Sequence, residues 1–273
     1  MNRPLQNVKV AITEHRFTQE FTTLFQKLGA EVYACPLLAE APVENRAELQ
    51  AFIRSVISEK FDEIIFLTGV GARMLIAEAE SIGRKQDFIE ALDRLTVIAR
   101  GSKPVAALRQ FGVRVDITPA KPTTEGVIGT LAARDLRGRR IGVQLYGTPN
   151  PQLMSALARQ GASAVAVQVY GYTEASGREA VHQLIFKTVS GAFDVITFTS
   201  APQVRMLFDA AGQLGLTYAL LKSLNNGTAV ASVGEVTSRE LESRGVMPKI
   251  IPDEPKMGPL VLAVASFFER RDA

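Results

Sequence analysis

Hydrophobic positions along the chain fall into two alternating patterns. Short continuous apolar runs, such as 63–68 and 195–199, predict buried strands. Between them lie longer segments with an apolar residue every three or four positions, such as 16–28 and 201–211, and these predict amphipathic helices. Glycine follows several of these helices, as Gly29 does the first, and stops them. Strands that alternate with helices in this way indicate βαβ units and an α/β fold built on parallel sheets.

The full set of predicted elements follows this alternation from end to end. The predicted strands are 8–13, 31–34, 63–68, 96–99, 115–117, 141–146, 164–170, 195–199, 229–233 and 249–251. The predicted helices are 16–28, 49–59, one running to 79, one ending at 111, one beginning at about 124, 151–160, 179–189, 201–211, 236–244 and 258–270.

The chain also repeats itself. Residues 61–68, Phe-Asp-Glu-Ile-Ile-Phe-Leu-Thr, return at 193–200 as Phe-Asp-Val-Ile-Thr-Phe-Thr-Ser. A second block recurs at a constant offset, so that Gly101, Leu108, Gly112, Val113, Ile117 and Pro119 correspond to Gly234, Leu241, Gly245, Val246, Ile250 and Pro252. We therefore expect two related α/β units, with a cleft between them as a natural place for a ligand.

The position of the repeats favours an insertion. One unit fits within 38–170, and the other then needs strands from the N-terminus, which gives a split domain of 1–37 plus 171–273. The chain would cross between the domains twice, near residues 35–37 and near 169–172. A sequential division near residue 140 is the alternative, but it would cut the first β/α series.

Composition excludes several classes of function. The balance of 31 Lys and Arg against 28 Asp and Glu, with no Trp and no basic stripe, argues against nucleic-acid binding. No apolar run approaches the length of a membrane span and the N-terminus lacks an apolar leader, so we expect no membrane partner and a cytoplasmic protein. Cys35 is alone, and His15 and His182 are isolated, so neither a disulfide nor a metal site is expected.

Small and hydroxyl residues follow the predicted strands at five places. Ligands collect at this end of parallel strands, where helix N-termini favour anions. The alternative is that such residues only cap helices and form turns. No Walker loop or Gly-x-Gly-x-x-Gly fingerprint accompanies them, so no nucleotide cofactor is expected. The five segments are 68–71, 100–103, 146–148, 199–201 and 234–237.

Tyr170 is the most informative single side chain. It is predicted to end the strand 164–170, where the chain would cross between domains, and from there its hydroxyl could donate a hydrogen bond to a ligand. A packing role is the alternative. Tyr146 and Tyr172 are weaker candidates of the same kind.

Three segments resemble the uroporphyrinogen-III synthases. Residues 194–200, Asp-Val-Ile-Thr-Phe-Thr-Ser, look like that family's strand ending in Phe-Thr-Ser. Residues 232–241, Ser-Val-Gly-Glu-Val-Thr-Ser-Arg-Glu-Leu, followed by Gly245, resemble its Gly-x-x-Thr-x-x-x-Leu-x-x-x-Gly block. Residues 167–170, Val-Gln-Val-Tyr, are similar to its strand ending in a functionally important Tyr. The shared order of these short motifs along the whole chain carries the resemblance.

The resemblance implies two flavodoxin-like domains with parallel sheets, joined by a two-stranded linker and separated by an interdomain cleft. It implies a cofactor-free lyase, expected to be a monomer, whose partner is a small linear tetrapyrrole, hydroxymethylbilane, with eight carboxylates. Ring A would lose its hydroxyl to give an azafulvene, the substituted carbon of ring D would attack, and a spiro intermediate would reclose with ring D inverted.

The resemblance also assigns residues. Tyr170 would assist the departure of the hydroxyl. The remaining candidates would bind the substrate, and they are Thr13, Thr68, Gly69, Gly101, Ser102, Lys103, Tyr146, Gly147, Thr199, Ser200, Gly234 and Thr237.

The chain departs from the family pattern at four places. Glu14 stands where Arg is common, Gly69 where Ser is usual, Pro104 replaces a Thr, and the turn 146–150 replaces an arginine-glycine turn. Loss of arginines would weaken a site for carboxylates. A synthase-derived module that binds a tetrapyrrole or regulates without turnover is therefore the alternative. A generic two-domain solute-binding protein is a third reading, and the missing leader argues against it.

Overall fold

The computed structural model describes residues 3–272, with side chains described for 3–270. Its strands are β1 (Lys9–Ile12), β2 (Glu31–Ala34), β3 (Leu38–Pro42), β4 (Glu63–Phe66), β5 (Thr96–Ala99), β6 (Arg140–Leu145), β7 (Ser163–Gln168), β8 (Tyr170–Glu174), β9 (Val195–Phe198) and β10 (Ala229–Ser232). Its helices are α1 (Thr18–Lys27), α2 (Arg46–Ile57), α3 (Gly69–Ser81), α4 (Lys85–Asp93), α5 (Ser102–Arg109), α6 (Thr124–Ala132), α7 (Pro151–Arg159), α8 (Arg178–Val189), α9 (Ala201–Gln213), α10 (Thr217–Asn226), α11 (Glu235–Ser243) and α12 (Met257–Asp272).

The chain divides into two compact units. Unit 1 comprises Met1–Ala39 and Thr173–Ala273, and unit 2 comprises Glu40–Tyr172. The domains expected from the sequence, a split domain of 1–37 plus 171–273 and an inserted domain of 38–170, stay a prediction.

Each unit is built on a four-stranded parallel sheet. The strand order is β10-β9-β1-β2 in unit 1 and β5-β4-β6-β7 in unit 2, and neighbouring strands run parallel throughout. This confirms the predicted α/β class. Position by position, β10, β9, β1 and β2 of unit 1 correspond to β5, β4, β6 and β7 of unit 2. The sequence repeat therefore relates β4 and β5 to β9 and β10, while β1 and β2 come from the N-terminal part of the chain.

Equivalent aspartates precede the central strands of the two sheets. Asp62 Oδ2 accepts a hydrogen bond from Arg140 N at 2.8 Å, and Asp194 Oδ2 accepts one from Lys9 N at 2.8 Å. Hydrogen bonds from Arg140 lower the pKa of the Asp62 carboxyl to about 2. These contacts fix the same register between strands β4 and β6 as between β9 and β1, and they define which residues of the two units correspond.

Apolar side chains fill the space between each sheet and its helices. In unit 2 the core on one side of the sheet includes Phe52, Phe66, Phe88 and Tyr170. In unit 1 the core includes Phe21 and apolar side chains of α12. The strands β4, β9 and β10 are buried along their whole length, as strands covered by helices on both faces should be.

A separate two-stranded sheet pairs β3 with β8. Val43 N donates to Val169 O near one end, and Ala175 N donates to Leu37 O near the other, so the two strands run antiparallel. Both strands contain a boundary between unit 1 and unit 2. The pair therefore holds the two chain crossings together.

Two predicted strands are not strands in the structure. Segments 115–117 and 249–251 form only single bridges, between Ile117 and Ile98 and between Ile250 and Ala231. In the first segment, both Asp116 N and Ile117 N donate to Val97 O, and the Asp116 carboxylate accepts from Val97 N. One carbonyl shared by two donors breaks the regular ladder, and a proline follows shortly after each segment.

Other boundaries also differ from the predictions. The predicted strand 164–170 is divided into β7 and β8, so Tyr170 begins β8 instead of ending β7. Strand β3 and helices α4 and α10 were not predicted. Residues Arg84 and Leu216, which precede α4 and α10, make no side-chain cap, so the usual start signal is missing. Within the described residues, no helix combines the length and apolar character required of a membrane span.

Candidate functional site

The junction between β4 and α3 carries the first group of predicted site residues in unit 2. Thr68 caps α3, because its Oγ1 accepts from Gly71 N at 3.0 Å. Gly69 begins the helix and packs closely against α5, since a Cβ there would lie 2.6 Å from Lys103 O. The amide carbonyl of Gln144, a buried residue on β6, accepts from Thr68 N at 3.2 Å.

Tyr170 meets this junction from the neighbouring two-stranded sheet. Its ring is 2% exposed and belongs to the core of unit 2, and its hydroxyl lies 3.3 Å from Thr68 Oγ1, to which it donates. Thr68 Oγ1 thus accepts two hydrogen bonds. The described residues include no acceptor for the proton of the Thr68 hydroxyl. Tyr170 and Thr68 therefore form a hydroxyl pair in which the Thr68 hydroxyl is available to donate a hydrogen bond.

Arg100 follows β5 and lies among tyrosines. Its guanidinium carbon is 5.4 Å from the centre of the Tyr146 ring. Burial lowers the pKa of the Arg100 guanidinium, and Tyr146, Tyr170 and Tyr172 oppose that effect electrostatically. Tyr170 and Tyr172 pack edge to face with ring centres 5.7 Å apart. Gly147 belongs to the same group, because a side chain at this position would collide with the Tyr172 ring.

Helix α5 begins next to Arg100. Gly101 precedes the helix in an extended conformation, and a Cβ there would lie 2.7 Å from Pro122 Cβ. Ser102 and Lys103 form the first turn and are exposed. No side chain caps this helix, so the amides of its first turn have no capping side chain as an acceptor. The structure therefore brings the eight unit-2 candidates to one edge of the unit-2 sheet.

The equivalent edge of unit 1 is organised by a glutamine. Gln203 Oε1 accepts from Thr199 N at 2.8 Å and from Ser200 N at 3.2 Å. Thr13 is fully buried, and its hydroxyl donates to Thr197 O at 2.8 Å and to Gln203 Oε1 at 3.1 Å. These contacts use the donors of Thr13 and of the β9–α9 junction inside the unit.

The hydroxyl of Thr199 is hydrogen-bonded to a carboxylate. The Thr199 Oγ1 hydroxyl donates to Glu14 Oε2 in a short hydrogen bond, and the other Glu14 oxygen accepts from Arg16 N at 3.1 Å. Glu14 is one of the departures from the family pattern noted in the sequence. Its carboxylate accepts the hydrogen bond of the Thr199 hydroxyl.

Gly234 and Thr237 lie at the start of α11. Gly234 repeats the packing of Gly101, since a Cβ there would lie 3.0 Å from Pro255 Cβ. Thr237 is 3% exposed and its amide donates to Gly234 O at 3.0 Å. The candidate residues of unit 1 are therefore gathered at the matching edge of the unit-1 sheet, although Thr13 and Thr237 are buried within it.

Comparison with known proteins identifies the family. Residues 19–261 match a family model described as uroporphyrinogen-III synthase HemD. The chain belongs to the uroporphyrinogen-III synthase family. The fold agrees, because a crystal structure of a mutant uroporphyrinogen III synthase from the extremely thermophilic bacterium Thermus thermophilus has a TM-score of 0.81 and 26% identity, covering 97% of this chain and 100% of that one.

Two curated relatives differ in what their names say. A Bacillus subtilis (strain 168) protein named uncharacterized protein YjjA is 30% identical over 272 residues, which is 100% of both chains. A putative uroporphyrinogen-III synthase of Methanothermobacter thermautotrophicus is 28% identical over 167 residues, covering 60% of this chain and 64% of that protein. The family and the fold support a function like that of uroporphyrinogen-III synthase, whereas the name of the Bacillus subtilis relative gives no activity.

Three residues at the two sheet edges were not predicted from the sequence, namely Arg100, Gln144 and Gln203. Arg100 lies in the segment 100–103 that follows a predicted strand, but the family resemblance assigns a role only to its neighbours Gly101, Ser102 and Lys103. Gln144 and Gln203 were not considered, although Gln203 stands three residues after Ser200 and a Ser-x-x-Gln spacing at a helix start is a capping signal. No similar local signal marks Gln144, because its partner Thr68 is distant in sequence.

The described residues contain no cluster of three or more His, Cys, Asp or Glu side chains that could hold a metal ion. The described residues at the two edges offer hydroxyls, backbone amides and the Arg100 guanidinium. Such groups donate hydrogen bonds to oxygen atoms and stabilise negative charge.

Proposed function

We propose that the protein is a uroporphyrinogen-III synthase that converts hydroxymethylbilane into uroporphyrinogen III and water. Membership of the family supports the reaction class. The observation that carries the proposal is the Tyr170–Thr68 hydroxyl pair, 3.3 Å between oxygens, held at the edge of the unit-2 sheet.

In the proposed reaction the Tyr170–Thr68 pair acts as a proton relay. Thr68 gives its hydroxyl proton to the leaving hydroxyl of ring A and regains a proton from Tyr170, so water departs instead of hydroxide. The pyrrole N–H of ring A releases its proton as the neutral azafulvene forms, and that proton restores the pair. The relay explains how a tyrosine with a 2% exposed ring can serve a substrate that it does not reach directly.

The later steps need orientation more than acid or base strength. The substituted carbon of ring D attacks the azafulvene carbon, the spiro intermediate opens, and the bond reforms with ring D inverted. Hydroxymethylbilane also closes without an enzyme to the uninverted isomer. The protein must therefore hold the conformation in which ring D approaches through its substituted carbon, which is catalysis by proximity and orientation.

One observation favours the alternative, a synthase-derived module that binds a tetrapyrrole or regulates without turnover. The carboxylate of Glu14 already accepts the hydrogen bond that the Thr199 hydroxyl donates. A substrate carboxylate at this position would have to displace it against electrostatic repulsion. In this alternative unit 1 would hold the ligand too weakly on this side for ring D to be oriented.

A coupled assay tests the proposal against the alternative. Porphobilinogen deaminase generates hydroxymethylbilane in the presence of the protein, and the porphyrin isomers are separated after oxidation. We expect mainly the type III isomer. Only the type I isomer from a folded sample would contradict turnover, and binding of uroporphyrin III measured by calorimetry would then distinguish the non-catalytic module from a protein with no tetrapyrrole ligand.

A further inference from the structure

Arg100 is a positively charged side chain without a matching negative charge. Among the described residues, its guanidinium forms no ion pair within 4.0 Å and donates no hydrogen bond. The carboxylate of Glu125 favours its charge only electrostatically, without such a pair. Two other arginines of unit 2 behave differently. Arg134 and Arg140 bind Glu63 and Asp62 directly.

The surroundings of Arg100 make this arrangement costly for the free protein. The Tyr146 ring covers one face of the guanidinium at 5.4 Å, and the pKa of Arg100 is lowered mainly by burial. A guanidinium stays charged in proteins, so burial removes water from a cation that cannot release its proton. The cation–π contact offsets part of that cost, but the five N–H donors of the fork have no acceptor among the described residues.

The equivalent position in unit 1 has no such cation. Arg100 and Lys103 correspond to Val233 and Val236, and Ser102 corresponds to Glu235. The repeat keeps the glycine and its proline contact at this junction, Gly101 with Pro122 and Gly234 with Pro255, but it does not keep the charge. A shared structural need would be met in both units, so the charge at β5–α5 serves something specific to unit 2.

We propose that Arg100 is the principal carboxylate-binding side chain of this protein, and that the tyrosines around it hold its planar fork ready for a propionate or acetate group of the tetrapyrrole. Arg100 lies at the same sheet edge as Thr68 and Tyr170. A carboxylate on Arg100 would therefore anchor the substrate close to the hydroxyl pair. This inference rests on the proposed function for the identity of the ligand.

Binding of uroporphyrin III, which carries eight carboxylates, tests the inference in the intact chain. The variants are Arg100→Gln, Arg100→Lys and the matched control Arg109→Gln, which removes an exposed arginine from the other end of α5. We expect Arg100→Gln to weaken binding about tenfold or more, as loss of a charge-assisted hydrogen bond does. The affinity of Arg100→Lys should lie between those of wild type and Arg100→Gln, because an ammonium keeps the charge but cannot form the bidentate contact. Arg109→Gln should bind as wild type does.

Thermal unfolding distinguishes binding from a structural role. If Arg100 serves the ligand, Arg100→Gln unfolds at a temperature no lower than Arg109→Gln, because a half-buried cation without an ion pair has been removed. In synthase assays the same variant should raise KM more than it lowers kcat. Unchanged binding in Arg100→Gln, an equal loss in Arg109→Gln, or no binding by the wild type would each overturn the inference.

The outcomes also separate this inference from the proposed function. Type III product from wild type together with unchanged binding and KM in Arg100→Gln would overturn the inference and leave the synthase standing. Selective loss of uroporphyrin binding in Arg100→Gln without any type III product from wild type would support Arg100 as the carboxylate site and contradict turnover.

Discussion

At the scale of single residues, Tyr170 packs in the core and, in the proposed reaction, also serves the chemistry through Thr68. The ring of Tyr170 packs inside unit 2, while its hydroxyl reaches the cap of α3. Thr68 accepts from Gly71 N and from Tyr170, which fixes the direction of its own O–H. Each hydroxyl in the pair has one defined role, so the two can be tested separately.

Tyr170→Phe keeps the packing and removes the relay. We expect kcat for formation of the type III isomer to fall about 100-fold, within the usual range for loss of a general acid. Thr68→Val should cause a similar loss and Thr68→Ser should restore most of it, since serine keeps the hydroxyl and the helix cap. The measurement is the initial rate in the coupled assay.

A control removes a tyrosine hydroxyl elsewhere. Tyr218 is 81% exposed, and Tyr218→Phe should turn over as wild type does. Full activity in Tyr170→Phe, with a circular dichroism spectrum like that of wild type, would exclude the hydroxyl pair from the mechanism while leaving the family unchanged.

At the scale of secondary-structure elements, the two central strand–helix junctions solve one problem in two ways. In unit 2 the accepting amide comes from Gln144 on β6, and Gly71 on α3 leaves room for it. In unit 1 it comes from Gln203 on α9, and the residue facing it after β1 is Thr13. The register of the sheets makes Gly71 equivalent to Gln203 and Gln144 equivalent to Thr13.

This equivalence predicts that the arrangement of unit 1 can be moved into unit 2. Gly71→Gln alone should be destabilising by about 1–3 kcal/mol, because its side chain collides with Gln144. Gln144→Thr alone should also be destabilising, because Thr68 N loses its acceptor. The double variant should recover a large part of both losses, since each change removes the conflict created by the other.

Urea unfolding of the wild type, both single variants and the double variant measures the coupling. Additive losses in the double variant would mean that the two glutamines are not interchangeable solutions. Residues 71 and 144 carry no direct chemistry in the proposed reaction, so stability is the decisive measurement and activity is a check that the junction has reformed.

A second prediction at this scale concerns the start of β4. Glu63 is 1% exposed and both of its oxygens accept from Arg134, at 2.8 and 2.9 Å. Arg134→Ala leaves a buried carboxylate without its partner and should cost about 3–5 kcal/mol of unfolding free energy. Asp135 and Arg137 form a pair nearby whose side chains are 65% and 83% exposed. Arg137→Ala should therefore change stability far less than Arg134→Ala does.

Chemical denaturation at neutral pH compares the two variants. A loss in Arg134→Ala no larger than in Arg137→Ala would show that Glu63 is hydrated or rearranges when its partner is removed. A further change, Glu63→Gln in the Arg134→Ala background, should recover part of the loss because it removes the uncompensated charge.

At the scale of the whole molecule, local signals and long-range signals differ in what they predict. Hydrophobic periodicity predicted the alternation of strands and helices, and the repeat predicted two related α/β series, because both are written in neighbouring residues. Strand β3 could not be found this way, because Leu-Ala-Glu-Ala-Pro has little preference for a strand and is ordered by pairing with β8.

The same limit applied to the candidate site. Tyr170 and the hydroxyl and glycine positions follow from motifs that can be read in order along the chain. The lack of an ion pair for Arg100 among the described residues, the Thr68–Gln144 contact and the hydrogen bond from Thr199 to Glu14 depend on side chains brought together by the fold. A residue's chemical type is visible in the sequence, but whether its charge or hydroxyl is already used is not.

The division of the chain leads to a test of independent folding. A fragment of residues 38–174 contains unit 2 with both strands of the β3–β8 pair, whose antiparallel arrangement brings the two ends of the fragment together. It also keeps the Tyr170 ring in the core. We expect this fragment to unfold cooperatively in urea, as small single domains do.

A shorter fragment, 44–168, provides the matched control. It lacks β3, β8 and Tyr170, so it should be less stable by about 3–5 kcal/mol or fail to fold, as expected when a buried aromatic side chain is lost. A cooperative 38–174 and a destabilised 44–168 would place the domain boundary within the two-stranded sheet. If 38–174 lost tertiary structure, with a flat near-ultraviolet spectrum and gradual unfolding, unit 2 would depend on unit 1 to fold. The insertion would then be a feature of the chain's topology and not of its folding, because the parallel sheet and its core would be insufficient without the rest of the chain.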